Sequence, residues 1–354
     1  MSSNPQLRSR RLQVSASTEA INDLYYQRGW TDGLPIVPPS EDRVLEMLRG
    51  SERDPSEVLG RFPPGDGTAT VEKVAINAVM AGCDPSYFPV VLAAVQGVCT
   101  EGFNVGGIQS TTGGAAPLVI VNGQAATRLQ VNSDTGVFGH GYRANATIGR
   151  ALRLVMRNIG DAIPGVTDKS TLGHPGKYTM CIAENEGRSP WASLPVERGY
   201  PAGTSTVTVV GVTGFHQISD MTVTSGRDVL DTICSSLVSP GNMGHYVIGR
   251  ETHMLLVIGP EHAQEMYEDG FSKDDVKAYV MENARIPVGR LRGRGYWSSR
   301  TWPTWVNEHD DAYMVPPVSS PRNILIVVAG GDGRHSAWLP TWSTTRAATV
   351  PILD

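Results

Sequence analysis

Side chains that can move protons are concentrated in residues 172–186. His174 and Lys177 flank a Pro-Gly turn. Glu184 and Glu186 follow at the end of an apolar stretch that is typical of a strand. A histidine with a carboxylate is the usual acid/base pair at neutral pH. The segment therefore predicts catalysis by His174 with Glu184 or Glu186, and substrate binding by Lys177. The alternative is an ordinary turn that carries solvated charges.

Lys73 is a further catalytic candidate because it interrupts the mostly apolar stretch 70–81. Lys73 and Asn77 are four residues apart, so they share one face of a helix. A lysine that is desolvated on a buried helix can act as a base or as a Schiff-base nucleophile. The alternative is a side chain that extends past its apolar neighbours to water.

The segment 139–147 predicts an anion site. It contains Arg143 and Asn145 and leads into an apolar helix predicted from about residue 145 to residue 159. Backbone N–H groups at a helix N-terminus, the helix dipole and a guanidinium group together favour a carboxylate or a phosphate. Arg143 and Asn145 are therefore predicted to bind substrate, although Asn145 could instead be the N-cap of the helix.

Polar side chains beside glycines provide three more predicted substrate-binding residues. Ser110 and Thr111 lie in the Gly-rich loop 106–114, where hydroxyl groups could act as nucleophiles or as hydrogen-bond donors. His335 lies in the segment 331–336, after an apolar strand. Both segments also have the composition of ordinary polar turns.

The spacing of histidines and cysteines matches no strong metal motif, and the sequence requires no particular cofactor. Four histidines could meet only through the fold: His140, His174, His245 and His335. The four cysteines show no CxxC spacing and are typical of reduced, buried thiols in a cytosolic protein.

Three apolar runs that each end in glycine indicate the elements that position these residues. The runs are 118–123, 254–259 and 324–331. Strands that are apolar on both faces lie inside a layered α/β fold, and ligands of open α/β sheets bind at strand ends. We therefore predict a layered α/β fold with several buried strands ending in glycine, and two or three related α/β subdomains. The predicted organisation is a disordered tail at 1–17, an N-terminal subdomain at 18–164 and a C-terminal subdomain at 165–354.

Length and charge limit the class of function. The chain has 354 residues, of which 40% are hydrophobic and 18% charged, so two domains with a sizeable core are expected. The net charge of −5 argues against nucleic acids and anionic membrane surfaces as partners. No apolar run is long enough to span a bilayer, and the start of the chain lacks a secretory signal. We expect a cytosolic homo-oligomer that acts on a small molecule.

Four segments together carry a family resemblance. They are Trp30–Pro39, Val71–Cys83, Phe138–Gly149 and Gly173–Lys177. They resemble the large domain that accompanies the Sec-Gly-Ser-Cys (UGSC) family of seleno/cysteine proteins, over about residues 18–350. The resemblance implies thiol or selenol redox chemistry on a small molecule, with a small redox subunit as a partner. This chain has no Cys-Gly-Ser-Cys motif, so the redox motif would lie on another polypeptide, or the chemistry is not redox; Cys83 is the one cysteine nominated here.

Three hypotheses follow. The leading one is a hydrolase or lyase that acts on a small anionic or amide-containing molecule, with Lys73, His174, Glu184 and Glu186 in catalysis. The second is the large subunit of a thiol/selenol redox enzyme. The third is a non-catalytic ligand-binding protein, and it predicts that Lys73, Arg143, His174 and Glu184 stand apart in the fold.

Overall fold

The computed structural model describes residues 7–14, 17–222, 225–239, 241–242, 251–294, 297 and 301–353. The helices are α1 Thr18–Gln27, α2 Glu41–Leu48, α3 Val71–Ala81, α4 Phe88–Val98, α5 Val105–Ser110, α6 Gln124–Arg128, α7 Arg143–Asn158, α8 Leu194–Glu197, α9 Gly226–Leu237, α10 Pro260–Glu268, α11 Lys273–Asn283 and α12 Val288–Leu291. The strands are β1 Val58–Phe62, β2 Gly67–Thr70, β3 Ala116–Asn122, β4 Cys181–Ala183, β5 Thr206–Val212, β6 His216–Ser219, β7 Met254–Ile258, β8 Ile286–Pro287, β9 Met314–Val315, β10 Ile324–Val328, β11 His335–Leu339 and β12 Ala348–Pro351. The predicted candidate His245 lies outside the described residues.

Two four-stranded mixed sheets form the centre of the molecule. The first has the order β12-β5-β3-β4, and the second has the order β10-β7-β11-β6. In the first sheet β3 is parallel to β4 and antiparallel to β5. In the second sheet β7 is parallel to β10 and antiparallel to β11.

The two sheets pack face to face between two layers of helices. Alternate residues such as Leu118 of β3 and Leu255 of β7 share the apolar core between the sheets. The opposite face of the first sheet, which includes Val119, packs against α3, α4 and α7. The opposite face of the second sheet, which includes Leu256, packs against α9, α10 and α11. Both sheets are therefore covered on both faces, which confirms the layered α/β fold and explains the uniformly apolar strands.

The two predicted subdomains share the first sheet. β3 precedes residue 165, but it pairs with β4 and β5, which follow that residue. The predicted tail at 1–17 is also tied to the fold in part, because the backbone N–H groups of Arg8 and Ser9 donate to the buried carboxylate of Glu72.

Several elements differ from the predictions. The predicted loop 61–68 contains parts of the paired strands β1 and β2, and the predicted loop 106–114 contains most of α5. The strand predicted at 323–329 is not the last one, since β11 and β12 follow it. The sequence does not predict β11 because the strand begins with the polar pair His335 and Ser336. Ser336 is buried against His262, which is 74 residues away along the chain, so the local pattern does not reveal its burial.

Glycine at two strand ends accommodates neighbouring backbone. A Cβ at Gly259 would lie 2.1 Å from the carbonyl oxygen of His335. A Cβ at Gly123, where φ is 79°, would lie 2.7 Å from the carbonyl oxygen of Thr204. A glycine at a strand end can let backbone approach a ligand, but at these two positions it lets the chain pack closely on itself.

Helix α4 is covered on nearly every side, as its uniformly apolar sequence predicts. Within the described residues no single helix is both long and apolar enough to cross a membrane, and one pair of segments bent by 73°, Pro85–Val98 with Glu101–Ser110, meets the length and composition requirement only when the two are taken together.

Candidate functional site

An open cleft of about 840 Å³ lies beside the starts of the edge strands β4 and β6. Its lining includes Phe138, His140, His174, Met180 and Phe215, and we call it the aromatic cleft. The volume is within the range of about 300–1,000 Å³ that is usual for small-molecule sites. The loop before α7, the turn at 174–176 and the residues between β5 and β6 build its walls.

Two phenylalanines from distant parts of the chain form the apolar wall of the aromatic cleft. The ring centroids of Phe138 and Phe215 are 5.2 Å apart with an interplanar angle of 68°, an edge-to-face contact. Phe215 is 48% exposed. An exposed aromatic ring over an open cleft is available to pack against the apolar part of a ligand.

His174 is held in one orientation at the wall of the aromatic cleft. Its Nδ1 accepts a hydrogen bond from the backbone N–H of Gly176 at 3.1 Å. A neutral imidazole has one donor and one acceptor nitrogen, so the proton of neutral His174 is on Nε2. Nε2 is buried and has no hydrogen-bond partner among the described residues. His174 therefore presents an N–H group rather than a free lone pair.

The pKa of His174 is lowered, first by burial and then by the charge of Lys177. Nearby carbonyl groups of Val212 and Gly114 offset part of this lowering. The ring is therefore neutral near pH 7, which makes it a hydrogen-bond donor without a net charge.

His140 is the more accessible of the two histidines. Its side chain is exposed at the aromatic cleft, and it makes no hydrogen bond or ion pair with the described residues. Sequence reasoning included its segment but assigned the chemistry to Arg143. The sequence does carry a signal for a binding site here, because aromatic residues and histidines stand beside glycines. Phe138 and His140 flank one glycine, and Phe215 lies between Gly214 and His216. Only the fold shows that these two groups meet.

The predicted anion ligands Arg143 and Asn145 have structural partners. Arg143 donates to the carbonyl oxygen of Gly82 and lies 3.6 Å from the carboxylate of Asp84. Asn145 lines the aromatic cleft, but its side-chain amide is already hydrogen-bonded. It accepts from the N–H of Asn132 and donates to the carbonyl oxygens of Asn132 and Cys181. Asn145 is not the N-cap, because α7 begins at Arg143, two residues before the predicted start.

The first turn of α7 nevertheless borders the aromatic cleft through Asn145 and Ala146. The residue before the helix, Tyr142, makes no side-chain capping hydrogen bond. The N-terminal N–H groups of this 16-residue helix are therefore not satisfied by a cap. Together with the helix dipole, they favour an acidic group at this end of the aromatic cleft.

His335 lies in an adjoining cleft of about 280 Å³. The two clefts share the lining residues Val137, Phe138, Gly139 and Phe215. The Nδ1 atom of His335 is 3.2 Å from the side-chain nitrogen of Gln217. The predicted binding residue His335 is thus near the aromatic cleft, on the far side of its phenylalanines.

The remaining predicted substrate-binding residues bond within their own segments. Lys177 forms an ion pair of 2.6 Å with Asp168. Ser110 donates to the carbonyl oxygen of Gly106, and the hydroxyl of Thr111 accepts from the N–H of Gly113. None of the three lines the aromatic cleft.

Lys73 also lies apart from the aromatic cleft. Its side chain is exposed on α3, and its ammonium group donates to the carbonyl oxygen of Thr68 at 2.9 Å. The predicted desolvated base is therefore a solvated lysine. Its neighbours on α3 are buried, but the helix turns the lysine itself toward water.

Glu184 and Glu186 form a second group with Asn122, which we call the carboxylate cluster. The Nδ2 atom of Asn122 donates to Glu184 Oε2 at 2.6 Å and to Glu186 Oε1 at 3.0 Å. The N–H of Gly123 also donates to Glu186 at 2.7 Å. The cluster lies at the carboxyl ends of β3 and β4, whereas the aromatic cleft lies at the start of β4. Burial raises the pKa of Glu184 to about 7.

The structure therefore does not bring all the predicted catalytic residues together. His174 is in the aromatic cleft, Glu184 and Glu186 are in the carboxylate cluster, and Lys73 is in neither. This separation is the arrangement that the non-catalytic hypothesis predicts. His140 and His174, in contrast, do share one cleft.

A buried serine–histidine pair, missed by sequence reasoning, joins β11 to α10. Ser336 Oγ lies 2.8 Å from Nδ1 of His262, and it also accepts from the N–H of Gly259. The strand alternates, so Ser336 faces the helix side like Trp338, away from the sheet interface. His262 is 0% exposed. The pair therefore anchors a strand to a helix, and Ser336 also lines the adjoining cleft of about 280 Å³.

The cysteines do not have the environment of redox thiols. Cys83 is buried and its Sγ donates to the carbonyl oxygen of Thr147. Burial raises its pKa to about 12, so the reactive thiolate is absent at neutral pH. Burial raises the pKa of Cys99 and Cys234 to about 12 as well, and that of Cys181 also rises. The redox hypothesis gains no support from the thiols of this chain.

Among the described residues no group of three or more His, Cys, Asp or Glu side chains could hold a metal ion. The chain matches no family model, no curated protein and no solved structure. The UGSC resemblance, the redox subunit and the homo-oligomer therefore stay predictions.

Proposed function

We propose that this protein binds a small molecule with an apolar body and one acidic group, and that the ligand occupies the aromatic cleft. The observation that carries the proposal is the combination of features in one cleft of about 840 Å³. The cleft has an exposed aromatic wall, is lined by two histidines and is bordered by a helix N-terminus without a side-chain cap. Clefts of this size with apolar walls and few polar groups are the usual sites of small-molecule binding.

Each part of the ligand has a matching part of the aromatic cleft. Phe138, Phe215 and Met180 supply apolar surface for the body of the ligand. The first turn of α7 offers N–H groups and a positive dipole end to a carboxylate. The described residues that line the cleft include no arginine and no lysine, so a single negative charge fits it better than a phosphate does.

A binding experiment with simple probes tests this proposal. Phenylacetate and octanoate are compared with their uncharged amides by isothermal titration calorimetry. We expect the acids to bind more tightly than the amides, and Phe215→Ala to weaken binding about fivefold, since an aromatic contact contributes on the order of 1 kcal/mol. Tyr267→Ala is the matched control, because Tyr267 is 51% exposed on α10 and lines neither cleft.

The proposal is wrong if Phe215→Ala and Tyr267→Ala bind the acids as tightly as the unaltered protein does. It is also wrong if the amides bind as tightly as the acids, because the helix N-terminus would then contribute nothing to recognition.

A second candidate function is an acid/base enzyme, a hydrolase or lyase acting on such a ligand. The observation in its favour is that His140 and His174 line the same cleft. His140, exposed and without a partner among the described residues, would exchange the proton with the ligand. His174 is neutral and its Nε2 is buried, so it would shape the cleft beside His140 and would not exchange a proton itself.

Turnover separates the two candidates. A mixture of small carboxylic acids and amides is incubated with the protein, and the loss of each compound is followed by mass spectrometry. The enzyme hypothesis predicts depletion that falls about a hundredfold or more in His140→Gln, whereas His309→Gln, an exposed histidine elsewhere, leaves it unchanged. Binding without depletion supports the non-catalytic function.

A further inference from the structure

Two buried oxygen atoms in the carboxylate cluster lack hydrogen-bond partners among the described residues. They are Oδ1 of Asn122 and Oε1 of Glu184. Asn122 is 0% exposed and Glu184 is 3% exposed, so water does not reach these side chains from the surface. An unpaired buried acceptor is costly, and native proteins contain few of them. Two such atoms side by side in one cluster therefore require an explanation.

The two unpaired atoms belong to side chains that one hydrogen bond already joins. Nδ2 of Asn122 donates to Oε2 of Glu184 at 2.6 Å. The second polar atom of the Asn122 amide is Oδ1, and that of the Glu184 carboxylate is Oε1. Both are hydrogen-bond acceptors. Turning the amide over would place its oxygen against two carboxylate oxygens, so the present orientation is the favourable one. One proton shared by the two free ends would satisfy both atoms, and of the two side chains only the carboxyl group can carry it.

We propose that Glu184 is a carboxylic acid at neutral pH, with its proton on Oε1, and that it forms a doubly hydrogen-bonded pair with the amide of Asn122. The amide N–H donates to Oε2, and the acid O–H donates to Oδ1. The carboxylate cluster is thus a proton-binding site at the carboxyl ends of β3 and β4, independent of the ligand proposed for the aromatic cleft.

The charges that face Glu184 leave it without a direct counter-ion. Lys273, at the start of α11, favours the ionised form. Its ammonium group, however, donates to Glu197 and to the carbonyl oxygen of Ala192, both at 2.8 Å. Lys277 on the same helix also binds Glu197. The carboxyl group of Glu184 is therefore near a positive charge that another carboxylate already holds.

Of the other neighbours of Glu184, some favour its ionised form and one favours its protonated form. The N–H of Leu194 donates to Oε2 at 2.9 Å and favours the ionised form, as the Asn122 amide does. Glu186 accepts from the same Asn122 nitrogen, and its proximity favours the protonated form of Glu184. Burial outweighs the rest and raises the pKa of Glu184 to about 7. Ionisation would leave Oε1 and Oδ1 as two buried acceptors without a donor among the described residues.

Infrared spectroscopy of the full chain tests the proposal directly. A protonated carboxyl group has a C=O stretching band that a carboxylate lacks. In deuterated buffer, between the ordinary pKa of 4.5 and the raised value of about 7, we expect one acid band in the unaltered protein. The band should be absent in Glu184→Gln and retained in Glu282→Gln, an exposed glutamate outside the carboxylate cluster.

A second variant keeps the test informative if Glu184→Gln does not fold. In Asn122→Ala the acid loses its acceptor Oδ1, so the band should remain and move to the higher frequency of a carboxyl group that donates no hydrogen bond. An unaltered protein without an acid band in this pH range overturns the proposal. It would show that Glu184 is ionised and that a water molecule or a cation satisfies the two oxygens.

Discussion

At the scale of single residues, the chain separates two kinds of polar group. His140 is exposed and unpaired among the described residues, and it faces an apolar cleft. Glu184 is buried and strongly perturbed, and it faces an amide at the end of a strand. A perturbed pKa at a strand end is a common mark of a functional group, but here burial accounts for the raised pKa of Glu184 without a ligand.

The raised pKa of Glu184 predicts a dependence of stability on pH. Between 4.5 and about 7 the folded protein keeps a proton that the unfolded chain releases, so the free energy of unfolding falls as the pH rises through this range. The contribution is fully present below 4.5 and is lost above about 7. It amounts to roughly 3 kcal/mol at about 1.4 kcal/mol per pKa unit.

Urea denaturation across this pH range measures the effect as a difference between variants. Glu184→Gln should lack the decline, because glutamine keeps a donor to Asn122 and does not titrate. Glu282→Gln, at an exposed glutamate outside the carboxylate cluster, should keep it. Equal declines in the unaltered protein and in Glu184→Gln would assign the dependence to other groups.

At the scale of elements, strands and loops have different tasks. The strand ends that carry glycine are filled by neighbouring backbone, and the aromatic cleft is built by the loop before α7, the residues before β6 and the turn at 174–176. The sheets thus provide a rigid scaffold, and the loops that they position carry the candidate site. Binding residues are often found on loops of this kind.

Gly123, which directly follows β3, is a position at which a side chain should be poorly tolerated. Its φ of 79° and ψ of −165° belong to a region that only glycine adopts readily, and a Cβ would meet Thr204 and Ser205. We expect Gly123→Ala to lower the free energy of unfolding by about 2–4 kcal/mol. Gly187→Ala, with no atom within 4 Å of its Cβ, should change it by less than about 0.5 kcal/mol. Similar values for both variants, measured by urea denaturation, would contradict the packing argument.

The elements with strong local signals could be predicted from the sequence. The Val/Thr run at 206–212 predicts a strand, and the structure has β5 at Thr206–Val212. Ser272, followed by two acidic residues, predicts a helix N-cap, and its side chain does cap α11. The candidate site could not be predicted in the same way, because Phe138 and Phe215 meet only through tertiary packing. Lys73 and Arg143 showed suitable residue types, but spacing along the chain does not tell which side chains point to water.

At the scale of the whole molecule, four layers place two sheets between two sets of helices. The sheet-to-sheet core explains why β3, β7 and β10 are apolar on both faces, since one face meets the other sheet and one meets helices. The threefold strand pattern therefore reflects burial in one layered body, with strands from both halves of the chain in the first sheet.

The sheet-to-sheet core predicts where truncation costs most. Leu255 is 0% exposed between the two sheets, so Leu255→Ala should lower the free energy of unfolding by about 2–5 kcal/mol. Leu172 is 95% exposed, and Leu172→Ala should change it by less than about 0.5 kcal/mol. Equal losses in denaturant titrations would argue against tight packing between the sheets.

The most direct test of the central claim is a crystal structure of the protein with phenylacetate. The account predicts density for the ligand in the aromatic cleft, with its ring against Phe138 or Phe215 and its carboxylate toward the first turn of α7. Density in another place, with the cleft empty at a saturating concentration, would contradict the proposed ligand site.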